Sequence, residues 1–116
     1  MRQIEQWMME EIRNQRAKAF DGYKLQSIDF SKEKDNTKVT TRTRQDNVLV
    51  TNVYLHGNLI AQYSTGKWGF KMCGWNTPTT RSRINVIAGE FGQSGVCQRK
   101  GKLYSAGKEI NSLDWF

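Results

Sequence analysis

VLVTNVYLHGNLIAQY, residues 48–63, decides the fold. β-Branched and aromatic residues fill both ends of this run, the composition of a half-buried pleated surface. His56-Gly57-Asn58 interrupts it with residues that tolerate positive φ. Two strand-like runs joined by a short turn read as an antiparallel hairpin. Upstream, residues 38–44 alternate Val39, Thr41 and Thr43 against Thr40, Arg42 and Arg44, and Gln45-Asp46-Asn47 supplies the connecting turn. Downstream, Ser64-Thr65-Gly66 is the next turn. Residues 67–73 then set Trp68, Phe70 and Met72 against Lys67, Gly69, Lys71 and Cys73. The pattern is a meander, and the Trp68/Phe70/Met72 face reads as core or, if exposed, as a stacking platform for bases. Tyr23, Leu25, Ile28 and Phe30 suggest an earlier strand with one bulge, and SKEKDNT, residues 31–37, reads as a charged loop or hairpin tip.

Two helices frame these strands. Thr77-Pro78 is a start signal, with Thr77 as N-cap and Pro78 as the first helical residue. Ile84, Ile87 and Phe91 form its expected buried stripe, with Arg81, Asn85 and Ala88 elsewhere, and Gly89 or Gly92 ends it. Residues 1–20 contain no Gly or Pro and are rich in helix formers. Ile4, Trp7, Met8 and Ile12 fall on one stripe, and Glu5 is read on the polar side. That stripe can pack on the chain's own sheet or on a second copy, so these four residues are the candidate oligomerisation surface. Asp21-Gly22 stops the helix. Residues 96–99 and 103–105 read as a hairpin with Lys100-Gly101-Lys102 at its tip, followed by a turn at Ala106-Gly107. Leu113, Trp115 and Phe116 make an ending apolar enough to dock. The expected fold class is α+β: an N-terminal amphipathic helix, an antiparallel sheet of about five to seven short strands and one further helix near residues 77–89. Residues 1–20 form the packing or oligomerisation helix, and residues 21–116 a single β-rich domain.

Charge is distributed unevenly. Residues 1–46 carry ten Lys/Arg and eight Asp/Glu, whereas residues 47–108 carry eight Lys/Arg and only Glu90. The formal +7 therefore resides in the strand-rich part, a field that suits nucleic acid or another anionic partner. The apolar fraction of 37% is low for a chain that must build one core, which leaves room for stabilisation by a partner. No apolar run reads as a signal peptide or a membrane span, and two Cys do not make a disulfide framework. Cys73 and Cys97 are expected as free small hydrophobes in a reducing interior.

Catalytic signals are missing from the pattern. His56 is the one His, sits in a turn, and has no nucleophile motif beside it. Cys73, Cys97 and His56 are too few and too scattered for zinc. Gly66-Lys67 and Gly101-Lys102 lack the rest of a phosphate loop. The chain is expected not to be an enzyme and to use no cofactor or metal.

Cations interleaved with aromatic rings support a binding role instead, since rings stack on bases and cations meet phosphates. The candidate nucleic-acid contacts are Arg42, Arg44, Lys67, Lys71, Trp75, Arg81, Arg83, Arg99, Lys100, Lys102 and Tyr104. Trp75, between Gly74 and Asn76, is the ring expected to be accessible.

VYLHGNLIA (53–61), GWNTPTTRSRIN (74–85) and QRKGKLYSAGKEI (98–110) resemble segments of small tailed-bacteriophage proteins. They cover about half the chain and carry no catalytic residue. The resemblance implies a phage origin and, with this size and charge, an early single-stranded DNA-binding protein working in the cytoplasm of an infected bacterium. It transfers no individual binding residue. The leading expectation is a homo-oligomeric protein that binds single-stranded DNA or RNA with little sequence preference. The alternative is an early inhibitor of a host polymerase or defence factor, which would use the Ile4/Trp7/Met8 stripe or the Leu113/Trp115/Phe116 tail. A third reading lays the second helix, with Arg81 and Arg83, in a duplex groove.

Overall fold

The computed structural model describes residues 2–116; Met1, where the sequence reading starts the first helix, lies outside them. Among these residues the elements in order are α1 (Gln3–Lys18), β1 (Phe20–Asp21), β2 (Lys24–Leu25), β3 (Asp29–Lys34), β4 (Thr37–Thr43), β5 (Leu49–Leu55), β6 (Asn58–Ser64), β7 (Lys67–Phe70), α2 (Pro78–Glu90), β8 (Cys97–Arg99), β9 (Lys102–Ser105) and β10 (Lys108–Ile110). β3 to β7 form a five-stranded sheet in chain order, β8 to β10 a three-stranded one, and β1 with β2 a small hairpin. Every pairing is antiparallel. The class is α+β as expected, with the strands divided among three sheets.

The turns explain this order. Asp35-Asn36, His56-Gly57, Thr65-Gly66, Lys100-Gly101 and Ala106-Gly107 each join two paired strands, and both residues of each pair have positive φ. Two-residue turns with this sign have a twist that matches the flanking strands, so each forces the chain straight back. The first of them corrects the sequence reading of residues 31–37. β3 runs on through Lys34, and only Asp35-Asn36 turn. Ser31 to Lys34 are exposed, and their charges lie on an edge strand, where they oppose pairing with another chain.

α2 begins as predicted. Thr77 Oγ1 accepts the Thr80 N–H at 3.2 Å, and Pro78 is the first helical residue. Its buried face is Thr80, Arg83, Ile84, Ile87 and Ala88. Ala88, expected elsewhere, is inside, while Phe91 is the partly exposed C-cap with its ring against Tyr63 and Trp68. The buried face of α1 is Glu5, Met8, Met9, Ile12 and Gln15, sharing Met8 and Ile12 with the expected stripe but turned away from Ile4 and Trp7.

The core joins both helices to one face of the sheet. Met8, Met9 and Ile12 of α1 and Ile84 and Ile87 of α2 meet Val39, Val53, Ala61, Trp68 and Phe70. Leu103 of β9 and Val96 belong to the same cluster. Met8 and Ile12 are fully buried within their own chain, so they are not a surface for a second copy; Ile4 and Trp7 are half-buried. Polar groups fill part of this interior in bonded pairs. The Thr41 and Thr51 hydroxyls bond each other at 2.9 Å, Gln15 Nε2 donates to the Val39 carbonyl at 3.0 Å, and Arg16 donates to Thr51 Oγ1 while lying 4.1 Å from the Tyr63 ring centroid. Bonded polar pairs let a chain with a low apolar fraction bury a continuous interior, although the Trp68 indole N–H and Arg83 Nε are buried there without a hydrogen-bond partner among the described residues.

Glu5 and Arg83 tie the two helices together. Glu5, 2% exposed, accepts the Arg2 N–H at 3.2 Å and the Ser82 hydroxyl, and its Oε2 lies 3.2 Å from Arg83 Nη1. Burial alone would raise the Glu5 carboxyl, but Ser82, the Arg2 amide and the Arg83 guanidinium together hold it below its ordinary value.

Candidate nucleic-acid interface

Alternation gives the five-stranded sheet two unlike faces. Both helices lie on the face carrying Val39, Val53 and Phe70. The opposite face carries no helix among the described residues. Register places Ser31, Thr40, Asn52, Gln62 and Gly69 in one row across it. Asn52 and Gln62 are neighbours there, with Gln62 Nε2 donating to Asn52 Oδ1 at 2.9 Å. That bond uses one half of each amide.

The chain's ending completes this open face. Phe116 and Phe70 exchange backbone hydrogen bonds at 2.8 and 2.9 Å, and Gly74 N–H donates to the Ser112 carbonyl at 2.9 Å. These contacts tether the tail at both ends alongside residues 70–74. The remaining edge of β7 is closed by a side chain: the Gln93 amide accepts from Trp68 N–H at 2.9 Å and donates to its carbonyl at 3.0 Å. The apolar tail docks as expected, but only in part. Phe116 turns its ring onto Phe70 on the covered side, while Trp115 stays 46% exposed on the open side.

Trp115 rests on Gly69. A Cβ at residue 69 would sit 3.3 Å from Trp115 Cε3, so a larger residue there would push the ring away. Lys71 Nζ lies 5.8 Å from the ring centroid, a cation–π distance. Lys67 is exposed on the same face, and Gln62, Ser64 and Thr65 complete a shallow cleft with Trp115. The arrangement offers a flat ring, two cations and polar side chains on a sheet face.

The expected contacts divide between places. Lys67 and Lys71 join Trp115. Arg42 is exposed on the same face, but at the β3 edge, where its register partner Asp29 offsets it; Glu33 does the same for Lys38. Arg44 is engaged by Asp46 at 2.9 Å. Arg99, Lys100, Lys102 and Tyr104 belong to the three-stranded sheet, where Arg99 and Tyr104 line a separate cleft with Cys97. Arg81 is half-buried and donates to Asn76 Oδ1.

Arg83 requires correction. It is 5% exposed and paired with Glu5, so its guanidinium is not free for phosphate, and the groove reading of α2 loses one of its two arginines. Trp75 is 60% exposed, while Trp68, Phe70 and Met72 are core. Both cysteines are free, but Cys97 is exposed rather than buried. Cys73 is half-buried with its thiol donating to the Leu59 carbonyl, and burial pushes that thiol up against the opposing pull of Lys71.

Sequence reasoning named Trp115 only as part of an apolar tail, for docking or for a host partner, and left it out of the nucleic-acid contacts. The available signal was alternation within Asp114-Trp115-Phe116: a strand-like ending sends neighbouring rings to opposite faces.

A family model described as Kyanoviridae Gp96 protein matches the chain over residues 1–116. No curated protein and no solved structure matches it.

Proposed function

The chain belongs to the Kyanoviridae Gp96 family, and from that premise we propose that this phage protein is a non-enzymatic binder of single-stranded nucleic acid with little sequence preference. The observation that carries this reading is Trp115, half-exposed on Gly69 beside Lys71 and Lys67, on a sheet face that no helix covers. An unpaired base stacks on the indole, and the lysines meet the flanking phosphates. A base-paired strand cannot offer its ring face to Trp115, so the site favours unpaired polymer. The sheet fixes the platform in advance, which lowers the ordering cost of binding.

Fluorescence anisotropy of labelled oligo(dT) at low salt tests the reading. Saturable binding that weakens with salt is the expected result; absence of binding at low salt overturns it. One observation favours a second reading, an inhibitor of a host protein. Trp75, Leu113 and Trp115 are all exposed near the docked tail, with Leu113 against Gly74. A stoichiometric host protein retained from nuclease-treated lysate, together with no oligonucleotide affinity, would establish that alternative.

A further inference from the structure

We propose that the cavity beside Trp75 receives one unstacked base of the bound strand, a second base site that rests on the single-strand reading above. The cavity has a volume of about 350 Å³, the low end of the range of ligand pockets. Its floor is Leu55, Ile60 and Met72, all buried apolar side chains. Trp75 lines it while keeping 60% of its surface exposed, so a flat ring borders an apolar floor.

The loop holding Trp75 is built in place. Cys73 and Gly74 both have positive φ, which reverses the chain after β7. Trp75 N–H donates to the Met72 carbonyl at 3.0 Å, and Thr77 N–H donates to the Trp75 carbonyl at 3.0 Å. The backbone that carries the ring is thus held before any ligand arrives, and stacking on the indole does not require ordering the loop.

The lining chemistry selects the occupant. His56, Asn58 and Thr79 line the cavity and spend no side-chain hydrogen bond within the described residues. They can serve the polar edge of a heterocycle whose faces meet the apolar floor and the indole. No acidic residue lines the cavity. Arg81 follows the lining residues Thr79 and Thr80 in α2 and is bonded to Asn76, between the lining residues Trp75 and Thr77. An apolar side chain from a protein would leave these polar groups unused; a base uses both the flat apolar walls and the polar groups.

The chain's ending runs close to both sites. Leu113 packs on Gly74, next to Trp75, and two residues later the tail presents Trp115 over Gly69. The docked tail therefore passes both rings, Trp115 on the open face and Trp75 at a cavity on the helix-covered side.

Methyl NMR of the full chain, titrated with a short oligo(dT) and with an abasic deoxyribose-phosphate oligomer of equal length, tests this. The Met72 and Ile60 methyl signals should shift with oligo(dT) and stay in place with the abasic oligomer. Trp75→Ala, an exposed position whose loss spares the core, should weaken oligo(dT) binding by about tenfold or more. Binding of oligo(dT) that leaves the Met72 and Ile60 methyl signals unmoved overturns the base pocket and preserves the open-face reading. Equal shifts with both oligomers would also overturn it, because the base would not be the occupant. No binding of oligo(dT) at all would defeat the reading on which the pocket rests.

Discussion

One set of strands gives the five-stranded sheet a closed face and an open one, and the contrast lies in what covers each. On the closed face, Trp68 and Phe70 stack 6.1 Å apart beneath the helices, fully buried. On the open face, one residue from each of them, Gly69 replaces a side chain with bare backbone and Trp115 lies across it. The same residue type therefore serves stability at position 68 and presents an accessible ring at position 115. A tryptophan's role here is set by the parity of its strand position and by whether a helix lies above it.

Removing a ring from the closed face should produce the largest effect. Trp68→Ala should cost about 3–5 kcal/mol of folding stability. Chemical denaturation measures it; a loss below about 1 kcal/mol, the scale of a surface substitution, would mean that the closed face is not the core.

The ion pair between the helices that cover that face should come next. Arg83→Met leaves Glu5 buried without its cation and should destabilise by about 3 kcal/mol. Because the folded Glu5 carboxyl is held below its ordinary value of 4.5, its contribution is present above that value and is lost as pH falls through the lower folded value. Wild type should lose stability over that acid range, and Glu5→Gln should flatten that part of the profile. Thermal melts across the range would read both, and an unchanged slope in Glu5→Gln would contradict the assignment.

A smaller effect, confined to binding, should follow from neutralising the open face. Lys67→Gln combined with Lys71→Gln should leave melting unchanged within about 0.5 kcal/mol of stability. It should reduce the salt slope of single-strand binding by about 0.7 per lost phosphate contact. An unaltered slope would place the phosphates elsewhere, with the basic tip at Arg99, Lys100 and Lys102 the next candidate.

The smallest expected effect concerns the tail that carries Trp115. Exposed Cys97 should react with a thiol reagent readily, and Cys73, raised by burial, slowly. Removing residues 112–116 should speed the labelling of Cys73. No acceleration would mean that the tail does not shelter the end of β7.

Much of the fold was legible because its signals are local. Alternation marked β4 to β7, and Thr77-Pro78 marked the start of α2. What the sequence hid depends on contacts between distant elements. Glu5 looks like a solvated helix residue until Ser82 and Arg83 are brought against it. The charged run from Ser31 to Lys34 looks like a loop because edge strands need no apolar face. At the candidate site, Trp75 was legible as an exposed ring from its glycine neighbour and turn setting. Trp115 was not, because its platform, Gly69, and its neighbouring cation, Lys71, lie more than forty residues away in sequence.

The most direct test of the open face is a paired titration of wild type and Trp115→Ala with oligo(dT) and with duplex DNA of equal length, alongside their melting curves. Wild type should bind the single strand more tightly. Trp115→Ala should lose about 1–3 kcal/mol of single-strand affinity with unchanged duplex affinity and an unchanged melting temperature. Equal single-strand affinity in the two proteins, or a wild-type preference for duplex, would contradict the account.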